Sequence, residues 1–228
     1  MPFCIGLRPA AGRSFAPVNS DCIIFDCDGV LVDSEPITFG VLVELLAEAG
    51  LPMTYDEVAA AFLGKAFSYI TAYVERGTGR PLDAAAFEAE FRRRTFARFR
   101  TDIRPVDGIR ELLDEVNVPV CVASSGPPHK IRLNLELTGL APYFGERIFS
   151  CYDLGRWKPD PAVFLHAAAT LGFRPEQCTV VEDSPVGVAA AVAGGFRVFG
   201  LARHGNDALL AAAGARVVHH LSQLRTNL

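Results

Sequence analysis

Four short apolar runs mark the chain: CIIF at 22–25, VPVCVA at 118–123, CTVV at 178–181 and FRVFGL at 196–201. Each is too short for a helix, rich in β-branched residues and continuous instead of alternating, the pattern of strands buried on both faces of a parallel sheet. Helical periodicity fills the intervals. In 107–116 (DGIRELLDEV) Ile109, Leu112, Leu113 and Val116 share a face, and in 160–171 (DPAVFLHAAATL) Val163, Phe164, Ala167 and Leu171 do the same. Strand–helix alternation of this kind predicts right-handed crossovers and a doubly wound, Rossmann-like α/β sheet, with ligands gathered at the carboxyl ends of its strands.

One interval is different. About ninety residues separate the first strand from the second, far more than a single crossover helix needs. They carry helical patterns at 39–50, 55–63, 67–77 and 84–99, broken by glycine or proline. The spacing predicts an all-helical unit over residues 36–104, inserted into a core made of 21–35 and 105–228, with Pro105 marking the return. Residues 1–20 contain arginines but no acid, no periodicity and no continuous apolar stretch, and read as a loose extension.

Composition narrows the function classes. With 228 residues, half of them hydrophobic, the chain can bury one sizeable core plus a smaller inserted one. A formal charge of −4 with dispersed Lys and Arg argues against a nucleic-acid partner. The six cysteines form no CxxC pair and several sit inside apolar runs, so they read as small core residues in a reducing cytoplasm. No apolar run reaches the roughly 18 residues of a membrane span, so no membrane partner is expected.

Chemistry collects where the strands end. CIIF runs into Asp26 and Asp28 with Gly29 behind them. An Asp-Gly turn alone would account for that pair. The second run, however, ends in Ser124-Ser125-Gly126-Pro127-Pro128 before a helical segment, which offers a hydroxyl and free amides to an anion. GRWKPDP (155–161) then places Lys158 before a helix start, and CTVV ends in Glu182-Asp183-Ser184-Pro185. Clustered carboxylates repel by roughly 4 kcal/mol per pair at about 4 Å and an effective dielectric near 20, so a cation must join them. All-oxygen ligands without nearby His or Cys point to a divalent ion such as Mg²⁺. Beside it, Lys158, a serine hydroxyl and helix-start amides make a phosphoryl cradle in which Asp26 is placed to act as a nucleophile.

DCDGVLVDSE, the SSG after VCVA, KPDP and VVEDSPVG, in this order, resemble the four motifs of the haloacid dehalogenase-like hydrolases, in the branch with a helical cap after the first motif. The likeness runs from residue 21 to nearly the end of the chain. It implies a Mg²⁺-dependent phosphatase in which Asp26 becomes an aspartyl-phosphate and Asp28 protonates the leaving oxygen, then deprotonates water. It further implies that Ser124, with amides near Ser125 and Gly126, binds the phosphoryl group and that Lys158 neutralises charge. Asp26, the Asp28 carbonyl and Asp183 would hold the metal, with Glu182 in or next to its coordination shell.

Differences inside the motifs refine the expectation. Dehalogenases of this family lack an acid two residues after the nucleophile, so Asp28 argues for phosphoryl chemistry. The related β-phosphoglucomutases carry a histidine twelve residues beyond the nucleophile, where this chain has Thr38. A phosphosugar mutase is therefore the runner-up, and a phosphorylatable signalling module without turnover a more distant rival. SSGPPHK, GRWKPDP and HLSQL (220–224) are similar to family members acting on small sugar phosphates, 6-phosphogluconate among them. The expected partner is thus a small phosphorylated metabolite. Lys65, after an apolar helix end, and Arg93 or Arg94 in FRRRTFARFR (91–100) are the candidate substrate contacts of the helical unit.

Overall fold

The protein was analysed as a computed structural model, which describes residues 20–63, 66–203 and 205–224. Among them six strands form one sheet: β1 (Cys22–Phe25), β2 (Val120–Ser124), β3 (Ile148–Ser150), β4 (Cys178–Glu182), β5 (Arg197–Leu201) and β6 (Arg216–Val218). All neighbours pair in parallel, in the order β3-β2-β1-β4-β5-β6. The chain works outward from β1 to one edge, then returns to β4 and works to the other. That reversal opens a crevice at the carboxyl ends of β1 and β4.

Period-2 alternation sorts β1 into two cores. Ile23 and Phe25 pack with Ile109 and Leu112 of α5 (Ile109–Glu115), Ile131 and Leu135 of α6 (Pro128–Leu137) and Phe144 of α7 (Ala141–Phe144). On the opposite face Cys22 and Ile24 pack with Cys151 of α8 (Cys151–Leu154), Val163 and Phe164 of α9 (Ala162–Thr170), Val188 of α10 (Pro185–Ala193) and Leu210 of α11 (Asp207–Ala213). The result is a three-layer sandwich, as the doubly wound pattern predicts. The five described cysteines are buried and free. No described helix is long and apolar enough to cross a membrane.

The predicted helices between the first two strands are present as α1 (Glu35–Glu48), α2 (Tyr55–Phe62), α3 (Phe67–Thr78) and α4 (Ala84–Asp102). They hold a small core of their own, built from Phe39, Leu42, Leu46, Val58, Phe62, Ile70 and Val74. Thr54 and Glu57 form a reciprocal cap at the start of α2, and the Asp83 side chain caps α4. Phe99 and Ile103, at the far end of α4, join the sheet core instead, so this helix belongs to both cores. Backbone bonds from Asp33 N–H to the Arg104 carbonyl and from Val106 N–H to the Leu31 carbonyl bring the two connecting strands of chain together. Arg203 fastens the same neck by donating to the Gly29 carbonyl and the Asp33 carboxylate.

The edge strands β3 and β6 are absent from the sequence reading. Three residues each, partly exposed, they are too short to carry a periodic signal, and only the neighbouring strand gives them their conformation.

Candidate active site

Three strand ends converge on one cavity of about 340 Å³. Asp26 directly follows β1, and its N–H continues the ladder to the Val181 carbonyl of β4, which fixes it at the sheet edge. The next turn needs Gly29: its φ is +79°, and a Cβ there would stand 1.8 Å from Asp183 Oδ2. Only glycine lets the β1 loop lie against that carboxylate. Ser124, the last residue of β2, is buried, and its Oγ accepts from the Gly126 N–H at 3.0 Å. The Gly126 carbonyl in turn accepts from Ser150 Oγ at 2.7 Å, so the Ser124–Gly126 turn is held from both sides.

Lys158 reaches the cavity from the chain between α8 and α9. Its ammonium donates to Asp26 Oδ1 at 2.6 Å, Glu182 Oε1 at 2.8 Å and the Ala123 carbonyl at 3.1 Å, matching its three donors with three acceptors. The Phe164 ring lies beneath it, 4.7 Å from nitrogen to centroid. Glu182, the last residue of β4, uses its other oxygen, Oε2, to accept from the Asp183 and Ser184 N–H groups and the Ser184 hydroxyl. Gly187 makes room for it, since a Cβ at that position would overlap Oε1 at 1.7 Å.

Asp28 stands apart from this set. Both its oxygens receive Lys130 Nζ, at 2.8 and 2.7 Å, and Oδ1 also accepts from Ser34 Oγ at 2.6 Å. Burial pushes its carboxyl up, but the Lys130 charge and these donors outweigh that and hold it below the ordinary carboxylate range. Asp26 moves in the opposite direction. Burial, with the charges of Glu182 and Asp28, outweighs Lys158 and raises it from 3.8 to about 7. Burial also raises Asp183 well above its ordinary value, with Glu182 and Asp26 adding to the effect. Lys158 is raised despite burial, because the Asp26 and Glu182 charges favour the ammonium.

Each of Asp26, Glu182 and Asp183 offers a carboxylate oxygen within 4.8 Å of the others. Two of these acids are pushed toward protonation by burial and by the charge of neighbouring carboxylates, which Lys158 alone does not offset. An added hard cation would relieve it, and an all-oxygen set suits one of the Mg²⁺ type. Glu182 belongs to the cluster, yet both its oxygens already carry donors, which favours a place beside a metal over direct ligation.

The residues expected from the sequence therefore divide. Asp26, Asp28, Ser124, Ser125, Lys158, Glu182 and Asp183 all line the one cavity. Gly126 lies at its margin, in the wall of a neighbouring cavity. Lys65 lies outside the described residues. Arg93 and Arg94 do not meet the site: Arg93 pairs with Glu90, and Arg94 with Glu90 and Glu48, on the outer side of the helical unit. Helical phase decides this, because Arg92, one position earlier, is the arginine that turns inward. Lys130, Ser34, Glu35, Arg203 and Asn206 are site residues that the sequence reading missed. Lys130 lies 102 positions from its partner Asp28, so local spacing contains no trace of the pair. Ser34, in the continuous stretch DGVLVDSE, carried a signal: a hydroxyl six residues on, in a loop that doubles back.

A family model described as haloacid dehalogenase-like hydrolase matches residues 20–195. The chain is 32% identical over 204 residues to a 6-phosphogluconate phosphatase of Escherichia coli, spanning 90% of this chain and 92% of that one. It is 30% identical over 213 residues to a phosphorylated carbohydrates phosphatase of Thermotoga maritima, with 87% and 94% covered. Among solved structures, a haloacid dehalogenase-like protein of unknown function from Agrobacterium tumefaciens superposes with a TM-score of 0.82 at 38% identity, covering 90% of this chain and 96% of that one.

Proposed function

Because this chain belongs to the haloacid dehalogenase-like hydrolase family, we propose that it is a Mg²⁺-dependent phosphatase of small phosphorylated sugars working through an aspartyl-phosphate on Asp26. The observation that carries this reading is the placement of Asp26. It sits at the strand end with one oxygen held by Lys158, Ser124 on the adjacent strand end and a second acid, Asp28, two residues on. The names of its phosphatase relatives support the substrate class.

Asp26 Oδ2 attacks phosphorus while Ser124 Oγ and the Ser125 amide hold the phosphoryl oxygens, and Lys158 keeps Asp26 oriented and offsets the charge gathered there. Asp26, Asp183 and the Asp28 carbonyl would hold the Mg²⁺, which when bound supplies charge neutralisation for the phosphoryl group. Asp28 delivers a proton to the departing oxygen and later takes one from water. Its resting bond to Lys130 favours the ionised form, and a phosphate dianion arriving alongside shifts it toward protonation. The helices α1–α4 act as a cap over this chemistry. A mutase is disfavoured by Thr38, whose hydroxyl donates to the Ser34 and Glu35 carbonyls and supplies no base.

The test is inorganic phosphate release from a panel of phosphate monoesters headed by 6-phosphogluconate. Release from sugar phosphates with Mg²⁺, abolished by chelation, is the expected result. Isomerised sugar phosphate without free phosphate would replace the phosphatase with the mutase.

Metal binding has its own pH signature. The metal-free folded state binds more protons than the unfolded chain between about pH 4 and 7, because Asp26 is raised to about 7; its contribution to stability falls as pH rises through that window. Mg²⁺ competes with those protons and offsets the loss. Its stabilisation in a thermal melt should therefore be larger near pH 8 than near pH 5.5. Equal shifts at both pH values would place the ion somewhere other than this cluster.

A further inference from the structure

We infer that a second cavity, walled by α4, α6 and α8, holds the hydroxyl-bearing carbon chain of the substrate, and that Thr95 and Lys130 are its specificity-determining contacts. This rests on the phosphatase reading. The cavity, about 390 Å³, shares Asp28 and Ser125 with the catalytic one. Asp28 protonates the departing oxygen, so the departing group must lie on the Asp28 side of phosphorus. That side is where the second cavity begins.

Its walls carry the chemistry for hydroxyl groups. Thr95, on the inward face of α4, is 3% exposed, lines the cavity and has a hydroxyl with no hydrogen-bond partner. A buried hydroxyl left in that condition is rare in folded proteins, and here it can both donate to and accept from a ligand hydroxyl. Lys130, whose ammonium contacts both Asp28 oxygens and lies 5.7 Å from the Phe99 ring centroid, lines the same cavity beside Thr95. Across the cavity Arg92 donates to Glu88 and, at 3.5 Å, to the Tyr152 hydroxyl of α8, linking cap and core. Each cation here already faces a carboxylate, Lys130 with Asp28 and Arg92 with Glu88. The surface therefore presents balanced donors and acceptors, the match for a polyol. Phe96 adds an apolar wall for the carbon skeleton.

Thr95→Val keeps the shape of the side chain and removes the hydroxyl. Steady-state phosphate release is measured for wild type, Thr95→Val and Thr95→Ser on a hexitol phosphate and on ethyl phosphate, which has no chain to read. Wild type should prefer the hexitol phosphate. The valine variant should raise KM for that ester about tenfold, leave ethyl phosphate unchanged and melt no lower than wild type, and Thr95→Ser should restore KM. Equal effects on both esters, or none on either, would overturn the subsite while the phosphatase reading stands. Wild type inert toward both esters would overturn the subsite, and inertness toward the whole sugar-phosphate panel as well would remove the phosphatase reading with it.

Discussion

Asp26→Asn should lower kcat for phosphate release by about 10⁴-fold or more. The amide has almost the shape of the carboxylate but cannot form the acyl phosphate, so the loss belongs to the nucleophile and not to binding. The fold should survive. Asp26 is 7% exposed, and its charge is disfavoured by burial and by the charges of Glu182 and Asp28; neutralising it leaves Lys158 still paired with Glu182. Rapid-quench measurement of acid-stable, protein-bound phosphate would accompany the steady-state assay. Wild type should show a transient acyl phosphate and Asp26→Asn none. Retention of more than about a hundredth of the activity would mean that the nucleophile is another residue.

Lys158→Met should damage both activity and stability. The Lys158 side chain is 5% exposed and is the cation that touches both Asp26 and Glu182. Its removal strands two buried carboxylates, and breaking a buried pair from one side costs about 3–5 kcal/mol. The matching loss of transition-state stabilisation is about 10²–10³-fold in kcat. Urea unfolding, with and without Mg²⁺, separates the two roles. Mg²⁺ should stabilise Lys158→Met more than wild type, since the cluster then lacks its internal cation. A variant unfolding at the wild-type urea midpoint would show that the Lys158 contacts do not hold the cluster together.

Much of the molecule is legible without coordinates. The central strands β1, β2, β4 and β5 are buried on both faces, so their sequences are continuous apolar runs. The helices α1–α4 announce themselves by period and by the breakers between them. The acids and serines of the candidate active site occupy strand ends, a position that sequence order and a parallel topology determine together. Boundaries are less legible: α1 begins at Glu35, four residues before its apolar pattern, because a proline in its first turn fits the helix without contributing to the core.

The chain alone determines the four central strands, the inserted helices and the acids and bases available at the crevice, because these follow from local periodicity and from which strand each residue terminates. Tertiary structure decides which groups pair. Lys130 grips Asp28 across 102 positions, Arg203 ties the neck across 170, and Arg92 rather than Arg93 or Arg94 lines the cavity beside Asp28. So do the opposite protonation tendencies of Asp26 and Asp28, which have similar local sequence surroundings. Burial and the set of charges around each decide it: Asp26 faces Glu182 and Asp28 as well as Lys158, whereas Asp28 has Lys130 and the Ser34 hydroxyl to itself, and both sets come from packing between distant segments, on which spacing along the chain has no hold.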